Sequence, residues 1–420
     1  MMRQVLTTAI GKTIRAAMRL RGGGSALPGL IVEKIDPQFM ARTLETLPRG
    51  VVVVSGTNGK TTTTKMVVEL LEAAGLKVFT NRTGSNFSRG VVASLLGEIN
   101  GMGKLDADIA VLELDEAWAV HFVKTVRPRY SLLLNVMRDQ LDRFGEIDTT
   151  AGFLQKIAEA TQETVVLNRD DSRVYAIHQH TRAQAKYFGL TTELIKLMPS
   201  DDSLKTGDAQ ANDAVACEVL LTEVGDQVAT FQIGADNYQT EVAVNGVYNL
   251  LNAAAALSLA KTILPQTPTQ TFIDAVALVK PAFGRGESIN YKGTAIDLLL
   301  VKNPSGFRLS LLSFGKRDRQ TMIAINDNYA DGRDLSWLWD VDFTLLSGIH
   351  SVTGARAADM ALRLHYDGVE IGQVQPDLKV ALEDFLNSEP GKDKQIFCSY
   401  TAMLTLRKLL SEKTEVEDIS

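Results

Sequence analysis

Residues 51–62 read Val51-Val-Val-Val-Ser55-Gly-Thr-Asn-Gly-Lys-Thr-Thr62. Four consecutive valines, bounded by Pro48-Arg49-Gly50 and by Gly56, predict a short buried strand. From Thr61 the spacing turns helical, with Met66, Val67, Leu70 and Leu71 on one face and Gly75 as a stop. A strand that passes through a glycine turn into a helix is the setting of a phosphate-binding loop. Gly56 and Gly59 let the backbone approach phosphate oxygens, and helix N-terminal amides point at the anion. Thr57, Asn58 and Thr62 complete the candidate nucleotide contacts. Lys60 can neutralise the β- and γ-phosphates, and the Thr61 hydroxyl is suited to Mg²⁺. The usual loop has another glycine at the place of Val54, so this one is a Gly-x-x-Gly-Lys-Thr variant. ATP is the expected nucleotide, although the loop itself does not read the base.

Around this loop, Lys77–Thr80, Ile109–Leu114, Ser131–Asn135 and Thr164–Asn168 read as further short strands with helical stretches between most of them. That alternation predicts an α/β domain with a mainly parallel sheet covered on both faces. Residues 190–245 differ: polar stretches such as Pro199–Asp213 alternate with β-like runs at Val228–Ile233 and Gln239–Val244, which predicts a small antiparallel insertion. Helical character returns at Leu250–Ile263. Breaks at Pro281–Gly284 and Tyr291–Gly293 precede renewed alternation, with strands near Ala295–Val301 and Met322–Ile325 and helices near Ala355–Tyr366 and Leu378–Leu386. The expected organisation is a basic helix and loop over 1–48, a nucleotide-binding domain over 49–288 with its insertion at 190–245, and a Rossmann-like α/β domain over 289–420.

The chain has 420 residues, ample for large cores without disulfides or metals. Its 44 basic and 50 acidic residues give −6, which argues against a nucleic-acid coat and leaves anionic small ligands open. No apolar run reaches the length of a membrane span. Residues 1–32 contain no Asp or Glu but carry Arg3, Lys12, Arg15, Arg19 and Arg21, without the apolar stretch of a signal peptide. They read as a basic amphipathic helix, broken at Arg21–Gly24 and followed by a loop over Ser25–Pro28. It either packs on the domain behind it or meets an anionic membrane surface or a phosphorylated substrate. Cys217, in a helix-like run, and Cys398, in a strand, read as buried small hydrophobes. His178-x-His180 reads as solvated surface, and Trp118 as core or pocket lining.

Gly56–Thr62 resembles the loop of the Mur ligase superfamily, whose members couple ATP to amide-bond formation at carboxylates. Further segments resemble that family in order. Val111-Leu-Glu-Leu-Asp-Glu116 is similar to the strand whose glutamate holds Mg²⁺, which maps to Glu113. Asn135-Val-Met-Arg-Asp-Gln-Leu-Asp142 is similar to the family's Asn-x-x-x-Asp-His-Leu-Asp, with Gln140 in place of His, and Val166–Asp171 is similar to its post-strand nucleotide-site segment. Tyr248–Ala254 resembles the helix start whose Asn, here Asn252, contacts adenine. Phe283-Gly-Arg285 resembles the segment whose Arg reaches the phosphates from the domain junction. Asn135–Asp148, Leu300-Val-Lys-Asn-Pro304, Asn326–Phe343 and Ser399–Met403 narrow the resemblance to the MurT ligase subunits of lipid II isoglutaminyl synthases. The resemblance spans about Gly22 to Leu409.

The resemblance implies activation of the α-carboxylate of D-glutamate in the lipid II stem peptide as an acyl phosphate. Ammonia from a separate GatD-like glutaminase then amidates it. Neither cysteine has the context of a glutaminase nucleophile. The resemblance also implies that a C-terminal Asp orients the partner's catalytic histidine. Among Asp327, Asp331, Asp334, Asp340 and Asp342, Asp340 is the first candidate, because Trp337 and Trp339 beside it fit an interface. Many MurT chains carry a four-cysteine zinc ribbon. Cys217 alone cannot hold that metal, so no zinc is expected and 190–245 is expected to fold on its own contacts. The alternatives are a single-chain ligase that adds an amino acid, and a nucleotide-binding scaffold without ligation.

Overall fold

The computed structural model describes residues 2–20, 27–81, 88–138, 147–198, 211–225, 228–243, 246–280, 285–315 and 318–416. Nine strands form the first sheet: β1 (Val51–Ser55), β2 (Val78–Thr80), β3 (Ile109–Glu113), β4 (Tyr130–Leu133), β5 (Thr164–Asn168), β6 (Gln184–Leu190), β7 (Val219–Val224), β8 (Val228–Ile233) and β9 (Asp236–Glu241). Their spatial order is β2-β3-β1-β4-β5-β6-β7-β8-β9. From β2 to β7 every pairing is parallel; β7–β8 and β8–β9 are antiparallel.

The valines of β1 alternate between two cores. Val52 and Val54 join one that holds Leu70, Leu71 and Leu257. Val51 and Val53 join the other, with Phe39, Leu44, Val91 and Leu95. This two-sided burial explains why β1 has no polar alternation, and it is worth about 2 kcal/mol per valine before chain entropy opposes it. The helix Lys60–Ala73 stops where the sequence predicts. Gly75, at φ +88°, donates to the Glu72 carbonyl, and the Leu76 amide reaches back to Leu71, closing a Schellman cap.

The segment after residue 190 departs from expectation. Its antiparallel strands exist, but β7 pairs in parallel with β6 and so extends the main sheet. Val219, Leu221, Ala229 and Phe231 lie in the same core as β1 and the helix Val247–Ile263. It therefore does not fold on its own contacts. Arg169 further pins residues 211–218, donating to the Val215 and Leu190 carbonyls and to Asp213. Residues 199–210 lie outside the described residues. Cys217 sits in irregular chain before β7, not in a helix, and is only half-buried. Burial still pushes its thiol up to about 12.

At the N-terminus, the helix Met2–Leu20 is followed by helices Leu27–Ile35 and Phe39–Leu44, so the expected loop ends before Leu27. Residues 32–47 share a core with β1.

The second sheet comprises β10 (Arg285–Tyr291), β11 (Thr294–Leu300), β12 (Gln320–Ala324), β13 (Gly348–Thr353), β14 (Glu370–Gln375) and β15 (Lys394–Cys398), in the order β10-β11-β15-β12-β13-β14. Only β10 is antiparallel. Lys292 and Gly293, both at positive φ, make the two-residue turn between β10 and β11. This sheet begins at Arg285, so the expected boundary near 288 falls inside β10. Cys398 is buried in β15, as read, and burial pushes its thiol up.

Candidate nucleotide and ligation site

The C-terminal end of β1 opens into the loop that precedes the helix Lys60–Ala73. Two glycines there are dictated by space as well as by backbone angle. Gly59 has φ +87°, and a Cβ on it would lie 2.4 Å from Asn252 Oδ1. Gly56 has φ +138°, and a Cβ there would lie 3.0 Å from the Asn135 amide nitrogen. The loop thus rests on Asn135 and Asn252, one from the end of β4 and one from the helix Val247–Ile263.

Asn135 fixes the loop from below. Its Oδ1 accepts from the Asn58 amide at 2.9 Å, its Nδ2 donates to the Asn58 carbonyl at 3.0 Å, and its carbonyl accepts from the Thr57 amide. The Met137 amide donates to Thr57 Oγ1 at 3.1 Å. Asp171 in turn accepts the Val136 amide at 2.7 Å, together with the amides of Arg173 and Val174. Burial pushes the Asp171 carboxyl up to about 6, although those amides pull it down.

Lys60 is buried. Its ammonium donates to the Gly56 carbonyl at 2.6 Å, the Thr57 carbonyl at 3.2 Å and Glu116 Oε2 at 3.1 Å. Beside it, Thr61 Oγ1 donates to Glu113 Oε1 at 3.0 Å. Glu113 is held through its backbone, because Asn81 Nδ2 donates to its carbonyl and its amide donates to Asn81 Oδ1. A hydroxyl and a carboxylate this close offer hard oxygens of the kind that bind Mg²⁺ together with phosphate and water. The donor set therefore fits that ion.

The second sheet reaches this loop at two points. Asn303, three residues past β11, donates to Asn58 Oδ1 at 3.0 Å and accepts from Asn58 Nδ2 at 3.4 Å. The same Asn303 Oδ1 caps the helix Pro304–Phe314 by accepting the Gly306 amide at 2.7 Å. Farther out, Arg138, next to Met137, pairs with Asp340 at 2.8 Å.

The predicted loop residues Gly56, Thr57, Asn58, Gly59, Lys60, Thr61 and Thr62 thus lie together with Glu113 and Asn252. Arg285 opens β10, and its side chain lies outside the described residues, as do residues 139–146 of the Asn135–Asp142 motif. Asp340 is not at the phosphate loop; among the described residues it meets that region through Arg138. Of its two neighbouring indoles only Trp339 is exposed. Trp337 belongs to the core beside Phe307, so the expected aromatic pair at an interface is a single Trp. Trp118 is also not core: it is 40% exposed and packs on His121. Half-buried His178 packs on Tyr175 and Tyr187, whereas His180 is exposed. Sequence reasoning quoted Glu116, Asn135, Arg138 and Asn303 inside motifs without giving them roles, and missed Asn81 entirely.

A loop of this kind under a second α/β sheet defines the class: ATP-dependent Mur-type ligases. Residues 54–260 match the Mur ligase middle domain and residues 300–403 match the MurT ligase C-terminal domain. The fold is also that of MurF ligase from Thermotoga maritima, solved in complex with ADP, with TM-score 0.69, 18% identity, and coverage of 90% of this chain and 84% of that one. The chain is 30% identical over 441 residues to the lipid II isoglutaminyl synthase (glutamine-hydrolyzing) subunit MurT of Streptococcus pneumoniae, covering 96% of each. The MurT subunit of Staphylococcus aureus strain COL is 28% identical over 398 residues, covering 88% of this chain and 89% of its own. The chain belongs to the MurT family.

Proposed function

We propose that this chain is the ligase subunit of a lipid II isoglutaminyl synthase. It activates the α-carboxylate of D-glutamate in the lipid II stem peptide with ATP, and it works beside a GatD-like glutaminase that supplies ammonia. The observation that carries this reading is the contact of Thr61 with Glu113 beside Lys60, in a loop that Asn303 of the second sheet clasps through Asn58.

The chemistry has two steps. A carboxylate oxygen bonds to the γ-phosphorus of ATP, the bond from that phosphorus to the β–γ bridging oxygen breaks, and ADP leaves. Ammonia nitrogen then bonds to the carbonyl carbon, the carbon–oxygen bond to phosphate breaks, and nitrogen loses a proton to give D-isoglutamine. The first step is charge neutralisation and positioning. In this reading Lys60 turns from its carbonyl and Glu116 partners to the phosphates, Gly56–Thr62 cradle them, and Arg285 adds charge from the junction. Asn252 contacts the adenine. Thr61 and Glu113 would hold Mg²⁺, which shields phosphate charge when bound. Asp340 orients the partner's histidine. None of the described helices is long and apolar enough to cross a membrane.

The test uses the purified chain, with and without its co-expressed glutaminase, given ATP, Mg²⁺, lipid II and either glutamine or an ammonium salt. The expected product is an amidated stem peptide, made from glutamine only when the partner is present. Addition of an amino acid to the peptide, or ATP binding with neither product, overturns the proposal.

A further inference from the structure

The helix Met2–Leu20 packs one face on the helices Leu27–Ile35 and Ser88–Glu98. The packing is close. A Cβ on Gly11 would lie 2.4 Å from Leu96 and 2.9 Å from Val32. Thr7 and Thr8 are buried on the same side, and Thr7 donates to Asp36 at 3.0 Å. This helix is therefore a fixed part of the domain.

Its opposite face is unusual. At 3.6 residues per turn, Val5, Leu6, Ala9, Thr13, Ala16 and Ala17 line the outward side, and all six are exposed. None is charged, whereas the outward face of a helix on a water-soluble domain is ordinarily polar or charged. Leu6 is 62% exposed, and Ile35 and Leu27 of the next helix are exposed too.

The flanks carry positive charge. Arg3 hydrogen-bonds the Ile35 carbonyl and keeps its side chain largely in solvent beside Asp36. Lys12 donates to the Ile99 carbonyl, and the Arg15 guanidinium lies against Gly97, both at the C-terminal end of the helix Ser88–Glu98. Lys34 is exposed on the neighbouring helix. Of the acidic groups nearby, Asp36 is buried with Arg42 and Arg3, Glu33 is half-buried facing Arg89, and Glu98 is exposed between Gly97 and Ile99, leaving the flanks with more cations than carboxylates.

We infer that the outward face of the helix Met2–Leu20, with Leu6 its most exposed large apolar side chain and Arg3, Lys12 and Arg15 beside it, rests on an anionic phospholipid surface. An uncharged apolar face with basic flanks lies in the plane of a bilayer interface: apolar side chains enter the headgroup boundary and cations meet lipid phosphates. The inference rests on the proposed lipid-linked substrate. Because that substrate is confined to a membrane, surface binding raises its local concentration without any change in the phosphate loop.

Co-sedimentation of the full chain, with its glutaminase, uses vesicles of neutral phosphatidylcholine and vesicles that also contain phosphatidylglycerol. Binding is expected to the anionic vesicles and to weaken with salt. Leu6→Glu is expected to weaken it about tenfold, and Arg3→Ala about fivefold. Leu6 is exposed, so Leu6→Glu is expected to melt like the parent protein. Leu6→Glu is also expected to raise KM for vesicle-embedded lipid II while leaving turnover of a water-soluble, short-chain analogue unchanged. Wild-type binding to neither vesicle, or equal binding by Leu6→Glu, overturns the inference. So does a dimer in solution that Leu6→Glu dissociates, because the face would then belong to a second copy. If the parent protein fails to amidate the soluble analogue as well, the functional reading has failed and the vesicle result stands apart from it.

Discussion

Two ion pairs, one inside the phosphate loop and one farther out, could hardly sit in more different surroundings. Lys60 and Glu116 lie 3.1 Å apart with side chains 9% and 5% exposed, whereas Arg138 and Asp340 lie 2.8 Å apart with side chains 44% and 38% exposed. Distance alone would rank them alike. Environment does not. A buried pair has lost its hydration, so removing one member leaves an uncompensated charge. An exposed pair trades water for its partner at little net gain. The first pair is built into the loop, and the second is a light fastening between the two sheets.

The largest effect is expected at Lys60 itself. Lys60→Ala should lower ATP-dependent amidation by about 10³-fold, the order seen when a preorganised donor to developing charge is removed. ADP release at saturating lipid II measures this. Activity within tenfold of the parent would mean that the loop does not neutralise phosphate charge through this lysine.

Glu116→Ala tests the buried half of the comparison on stability. It takes a carboxylate away from the buried Lys60 ammonium, and a loss of about 3–5 kcal/mol in urea unfolding is expected. Glu116→Gln keeps an acceptor and should cost clearly less. Equal costs for the two variants would show that packing, not charge, is what Glu116 supplies.

The loop was legible because its parts are contiguous. A valine run, two glycines and a Lys-Thr pair lie within twelve positions, and the strand–turn–helix geometry follows from them locally. Glu116 was not legible in the same way. Glu113, Asp115 and Glu116 fall within four positions, and which of them turns toward Lys60 depends on how β3 leaves the sheet. Asn303 was harder still, since its contact with Asn58 spans two sheets. The same limit acts on the fold. The β-like periods of β8 and β9 were readable, but the parallel join of β7 to β6 is set by non-local register. Edge strand β14, Glu370-Ile-Gly-Gln-Val-Gln375, is too polar to stand out.

A third pair grades the comparison. Asp36 has a side chain 0% exposed, while its partner Arg42 is 36% exposed. Burial pushes the Asp36 carboxyl up, but hydrogen bonds from Arg42 and Thr7 and the nearby charges outweigh it and hold the group below the usual Asp range. A lowered carboxylate stabilises the fold above its unfolded pKa, near 3.8, and that contribution is lost as pH falls through the lower folded value. Asp36→Asn should therefore cost about 2 kcal/mol at neutral pH and almost nothing at the acid end. Hydrogen exchange over residues 2–20 reads this out, because Thr7 ties that helix to Asp36. A cost that does not change with pH would assign Asp36 a packing role.

The smallest effect on stability is expected at the exposed pair, and it carries the sharpest functional contrast. Arg138→Ala and Asp340→Ala should each change unfolding free energy by about 0–1 kcal/mol, with the difference shrinking in salt. Their activities should separate. If Asp340 orients the partner's histidine, Asp340→Asn loses glutamine-dependent amidation but keeps the ammonium-dependent reaction, because only the supply of ammonia is touched. Arg138→Ala leaves Asp340 available to the partner and should keep both reactions, with tighter docking of the glutaminase, since one competitor for the carboxylate is gone. Asp340→Asn with full glutamine-dependent activity would remove Asp340 from that role. Weaker docking in Arg138→Ala would instead mean that the pair holds the docking surface in shape, and that an exposed ion pair here does more than fasten two sheets.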